Sequence, residues 1–155
     1  MVTASAAVAS FWDAFVAATG IEGPYTAWAF GGPDTPALAD TLAQLVRYGP
    51  KRATASLVAE YDTDEEPLPE VGDLSVILDG SGEPVCVIRT TELIRCRFGD
   101  VDERFARDEG EGDMTRAWWR QAHLGFWAAQ GWEVDDDTEV LCERFELLWP
   151  TEGIG

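Results

Sequence analysis

The sequence predicts a mixed α+β domain. Three stretches repeat apolar residues at helical spacing, and the runs between them alternate or are bounded by turn residues. A length of 155 residues points to one domain, 1–155, with an N-terminal helical extension over about residues 1–20. Apolar residues make up 46% of the chain, including seven Trp and seven Phe, enough for a substantial core.

Residues 5–19 predict an amphipathic helix, with Val8, Phe11, Trp12, Phe15 and Ala18 on one stripe and Gly20 as its stop. Residues 25–30 are short and aromatic and read as a strand or loop before Gly31-Gly32-Pro33. A second helix begins where Thr35 can cap and Pro36 suits the first turn. Leu38, Leu42, Leu45 and Val46 form its stripe, and Gly49 closes it. A β run over 53–61 follows, then an acidic, proline-rich loop over 62–72. Strands over 74–78 and 85–93, the second extending toward Phe98, flank the hairpin signal Asp79-Gly80-Ser81-Gly82. Residues 100–107 predict a short helix with Asp100 and Glu103 as a capping box, broken by Glu109-Gly110-Glu111-Gly112-Asp113. A long helix over 115–130 has Trp118, Trp119, Ala122, Phe126 and Trp127 on a broad apolar face. A final strand over 141–149 alternates Phe145, Leu147 and Trp149.

Charge and composition exclude several classes. The net charge of −18 opposes non-specific binding to long nucleic acid, which depends on neutralising phosphates, but leaves room for a small basic pocket. No run of 18 apolar residues offers a membrane span, so no membrane partner is expected. The N-terminus lacks a basic region and is interrupted by Asp13, against a signal peptide. Cys86, Cys96 and Cys142 form no CxxC pair and read as reduced, small hydrophobes. A cytoplasmic location is expected. Of the acidic runs, 62–66 and 133–139 read as solvated, whereas 108–113 can carry chemistry.

Lys51 is the only lysine among eleven basic residues. An ammonium is a compact donor, whereas a guanidinium is a planar fork. Thr54 lies three positions on, at a helix-to-strand corner where both side chains can face one cleft. Lysine there can stabilise an oxyanion or act as a base, and the threonine hydroxyl can attack or orient water. Replacing Lys51 by arginine keeps the charge, so on sequence grounds the fold should survive while catalysis is lost. Glu109 and Glu111 sit between glycines that let a backbone approach a ligand. With Asp113 they alternate as calcium ligands do, but the run is too short and lacks the downstream pattern, so no metal site is assigned and a divalent metal is not favoured. His123 is the sole histidine, which excludes a paired-histidine ribonuclease mechanism. Trp28, Phe30 and Tyr61 can stack a base, though core packing is the commoner use of such residues.

Several segments resemble the ASCH family, in order and over nearly the whole chain. They are Ala27-Trp28-Ala29-Phe30-Gly31, residues 37–42, Gly49-Pro50-Lys51-Arg52-Ala53-Thr54-Ala55-Ser56-Leu57, and Val71-Gly72-Asp73. Residues 85–88 with Thr90-Thr91-Glu92, residues 105–113, Trp119-Arg120 with His123, and residues 140–145 complete the set. The resemblance implies a PUA-like small β-barrel with surrounding helices. It implies a partner that is RNA or a small nucleoside or nucleotide. Some members look like ribonucleases, and shorter ones are amidohydrolases acting on N4-acetylcytidine through a lysine, a threonine three residues later and a glutamate. These roles fall on Lys51, Thr54 and Glu109. Ser56 stands where the shorter members have arginine, and the longer chain is similar to relatives linked to RNA cleavage.

Three readings follow. One is an RNA- or nucleotide-cleaving hydrolase using Lys51, Thr54 and Glu109, with Arg52, Ser56, Trp28, Phe30, Tyr61, Glu111 and His123 contacting substrate. A second is an amidohydrolase for a small modified nucleoside. The third is a non-catalytic RNA-binding module. No cofactor is expected.

Overall fold

The computed structural model describes residues 5–32, 34–61 and 68–151. Pro33 and the acidic run 62–66 lie outside them, as do the chain's first four residues. Four helices are present: α1 Ala6–Thr19, α2 Pro36–Tyr48, α3 Glu103–Glu109 and α4 Arg116–Ala129. Five strands, β1 Thr26–Ala29, β2 Ala53–Leu57, β3 Leu74–Leu78, β4 Pro84–Arg97 and β5 Glu139–Trp149, form one sheet in the order β1-β3-β4-β5-β2. β1 runs parallel to β3, whereas β3 with β4 and β5 with β2 are antiparallel. Among the described residues, no helix is long and apolar enough to cross a membrane.

The chain forms two compact units. The first is built from Met1–Gly49, Gly72–Arg89 and Glu146–Gly155, the second from Pro50–Val71 and Thr90–Phe145. β4 and β5 therefore pass through both. In the first unit, Val8, Trp12 and Phe15 of α1 pack with Val76, Leu78 and Val87, as the helical stripe requires. Ser5 caps α1 by accepting from Val8 N, and Gly20 ends it in the left-handed region. In the second unit, Ala53 and Leu57 of β2 and Val140 and Cys142 of β5 share a core with Phe98, Phe105, Trp119 and Trp127.

Several expected boundaries shift for local reasons. Thr35 precedes α2 but does not cap it. Its hydroxyl donates to Gly32 O and accepts from Gly32 N, closing the preceding turn instead. The β run ends at Leu57, and residues 58–61 turn into a 3-10 helix whose Glu60 carboxylate accepts from Leu57 N. The cap of α3 is Asp102, whose carboxylate accepts from Phe105 N at 2.9 Å, not Asp100, which falls in a 3-10 turn. At its other end α3 runs to Glu109, a helical rather than a loop residue, and stops at the left-handed Gly110. On α4 the buried aromatics are Trp119 and Trp127, while Trp118 is exposed.

Candidate functional site

Lys51 is fully buried, and its position follows from where α3 ends. Gly110 is the C-cap of α3, with φ +66. A Cβ there would lie 2.8 Å from Lys51 N and 2.8 Å from Pro50 C. Only glycine lets the end of α3 rest on the 50–51 backbone. The contact is pinned by Arg52 N donating to Asp108 O at 2.8 Å. Gly110→Ala is expected to combine left-handed strain with a backbone clash and cost about 1–3 kcal/mol. A denaturant midpoint equal to the parent's would contradict it.

With α3 so placed, the Lys51 ammonium sits at the negative end of a helix. Nζ donates to Glu111 Oε2 at 2.6 Å, to Glu109 Oε1 at 3.2 Å and to Ala53 O at 2.8 Å, with Glu109 O at 3.4 Å. The other Glu109 oxygen, Oε2, accepts from Trp119 Nε1 at 2.6 Å and lies 3.3 Å from His123 Nε2. His123 Nδ1 lies 2.9 Å from Trp119 O, one helical turn back. The imidazole stacks on the Trp119 ring, centroids 4.3 Å apart, and Phe98 stacks on the same ring at 5.3 Å. Lys51 and Glu109 are 1% exposed at the side chain, Glu111 13% and His123 12%. Solvent therefore reaches this centre through Glu111 and His123.

The two carboxylates are pushed in opposite directions. Burial works to raise the Glu109 pKa, but Lys51 and His123 outweigh it and hold the carboxyl far below its usual range. Burial raises Glu111, and the nearby Glu109 charge adds to this against the pull of Lys51. Burial works to lower His123, yet Glu109 prevails and raises it. The stability consequences differ in sign. The raised His123 contributes stability fully present below about pH 6.5 and lost as pH rises through its folded value. The lowered Glu109 contributes stability present above about pH 4.5 and lost as pH falls toward its folded value. The difference in melting temperature between the parent and His123→Gln should therefore be largest below about pH 6.5 and shrink above it. A difference that grows toward alkaline pH would refute the coupling.

The other expected residues divide between two places. Ala53 and Leu57 point into the core with Trp119, so strand alternation turns Thr54 and Ser56 to the opposite face of β2. Among the described residues, no hydrogen bond joins the Thr54 side chain to Lys51 or Glu109. Lys51 instead holds the carbonyl of the peptide linking Ala53 to Thr54. Across the sheet Thr54 faces Glu143, a buried carboxylate that accepts from Thr90 Oγ1 at 2.7 Å. Ser56 Oγ bonds Tyr61 Oη at 2.9 Å. Arg52 donates from Nη1 to Lys51 O. Trp28 and Phe30 belong to the first unit, where they pair edge to face at 4.9 Å and Phe30 is buried. Asp113 turns from Glu109 and Glu111 to accept from Thr115 N and Oγ1. Among the described residues, no group of three His, Cys, Asp or Glu side chains converges as a metal site.

Sequence reasoning missed four participants. The sequence places Trp119 on an apolar helix face and gives it no role at the site, although a buried indole N–H needs an acceptor and His123 lies four residues on, on the same helical face. Glu143 and Thr90 become visible only through strand register. Arg144 bridges Glu92 at 2.6 Å and Asp108 at 2.9 Å, tying β4 and β5 to the residue before Glu109.

This arrangement accompanies a clear kinship. The model of the ASCH domain matches residues 26–149, and the chain belongs to the ASCH domain family. Its fold class is α+β and PUA-like. The ASCH domain of Lactobacillus crispatus JV V101 superposes with a TM-score of 0.80 at 29% identity, over 92% of this chain and 94% of that one. A protein of Enterococcus faecalis V583 superposes with a TM-score of 0.77 at 32% identity, over 90% and 86% of the two chains. No functionally curated protein matches the chain.

Proposed function

We propose that the protein binds RNA or a nucleotide and hydrolyses it at the Lys51–Glu109–Glu111–His123 centre. One observation carries this reading: a buried ammonium shared by two carboxylates, Glu109 held down and Glu111 pushed up. Titratable neighbours driven apart in this way divide into acid and base. Glu111, the more accessible, delivers or accepts the proton. Lys51 stabilises developing negative charge, and Glu109 holds both Lys51 and His123 in place. Family membership supports a nucleic-acid or nucleoside ligand. Thr54 faces Glu143 on the other face of β2 and takes no part at this centre.

The net charge of −18 favours a short or single-nucleotide substrate over a long strand, which keeps the amidohydrolase reading as the second choice. The test is a product assay of the purified chain on mixed short RNAs and modified nucleosides, including N4-acetylcytidine, with and without divalent metal. RNA fragments support the first reading, and free acetate supports the second. Binding without turnover would replace both by a recognition module. Affinity for single strands should fall only shallowly with salt, against a slope of about −0.7 per neutralised phosphate. A slope equal to six or more phosphates would exclude a short substrate.

A further inference from the structure

We propose that Cys96 and Cys142 are a reversible disulfide site, closed by a low-molecular-weight disulfide such as oxidised glutathione. Cys96 lies on β4 and Cys142 on β5, neighbouring strands of the sheet. Their sulfurs are 3.8 Å apart. Both are free thiols, Cys142 buried in the second unit's core and Cys96 half-buried against it. Closing the gap to about 2.05 Å brings the two sulfurs together from a separation already at van der Waals contact. Cys86, the third cysteine, is buried in the first unit.

The chemistry balances in two exchanges. The Cys96 thiolate, the more exposed, attacks one sulfur of the small disulfide and expels a thiolate, leaving a mixed disulfide. Cys142 then loses its proton to solvent and attacks Cys96 Sγ, expelling the second thiolate. Two protein thiols are oxidised and one small disulfide is reduced to two thiols. Burial pushes both thiols up, and for Cys142 the neighbouring Cys96 adds to it, so exchange is slow at neutral pH and quickens as pH rises. The bond ties β4 to the strand that carries Glu143 and Arg144.

The experiment equilibrates the full chain in glutathione buffers of increasing oxidised fraction at about pH 8.5, then denatures, alkylates and digests it for mass spectrometry. A Cys96–Cys142 linked peptide lacking two hydrogens is expected, with Cys86 fully alkylated. Dithiothreitol should reverse it. The oxidised form should melt roughly 5–10 °C higher. Cys96→Ser, at the half-buried position, should abolish the link and the thermal shift. Cys142→Ala repeats the control without placing a hydroxyl in the core. Full alkylation of both cysteines under the most oxidising buffer, a glutathione adduct on Cys96 that never resolves, or a link to Cys86 would each overturn the proposal.

Discussion

Lys51→Met is expected to cost about 3–5 kcal/mol of stability and to lower the melting temperature by roughly 10 °C. Methionine fills much of the volume of the lysine stem but supplies no donor. Glu109, 1% exposed, then keeps its charge with only Trp119 and His123 against it, and Ala53 O loses the Lys51 donor. Glu111 can turn toward water, which limits the loss, but Glu109 cannot. The penalty should shrink in acid, where the orphaned carboxylates protonate. A melting temperature within about 2 °C of the parent at neutral pH would mean that the pair contributes no net stability. Lys51→Arg also changes expectation. The sequence predicts an intact fold because charge is conserved. In the folded chain, however, the ammonium is enclosed by Glu109, Glu111 and the Ala53 carbonyl. A larger planar fork overpacks this space, at about 1–3 kcal/mol.

Glu109→Gln is expected to cost about 2–3 kcal/mol and to lower the His123 pKa. The amide matches the carboxylate in shape but not in polarity. Its oxygen can accept from the Trp119 indole or from Lys51, and its NH2 group then faces a donor. His123 loses the charge that raises it while the burial that lowers it remains, so its folded pKa should drop. Titration of the His123 ring by NMR reads this directly. An unchanged midpoint would place another group in control of the imidazole. On the hydrolase reading, turnover should fall by at least about a hundredfold in this variant. The NMR shift without a loss of turnover would retain the network and remove it from catalysis.

Much of the fold was legible because its signals are local. The stripe Val8, Trp12 and Phe15, the start of α2 at Pro36, and the turn from Asp79 to Gly82 depend on residues close in sequence. The bend at Leu57 and the move of the α3 cap to Asp102 were less visible. Each rests on one carboxylate choosing among several backbone donors within a few residues, a contest that propensity does not decide.

The candidate site divides along the same line. That Lys51 is the sole lysine, that Glu109 and Glu111 flank Gly110, and that His123 follows Trp119 by four are properties of the chain, and they suffice to nominate the chemistry. What binds to what depends on tertiary contacts. The burial of Lys51 arises because a glycine lets α3 lie against residues 50–51, bringing two carboxylates from 58 and 60 positions away onto one ammonium. The separation of Thr54 from that pair follows from strand parity together with the packing of Ala53 and Leu57 on Trp119. The approach of Cys96 to Cys142 follows from the pairing of β4 with β5. Spacing along a chain sets which groups can share a helix face or a strand face. Which faces meet is decided by long-range burial; among the groups so gathered, burial raises Glu111, while neighbouring charges lower Glu109 and raise His123 against burial.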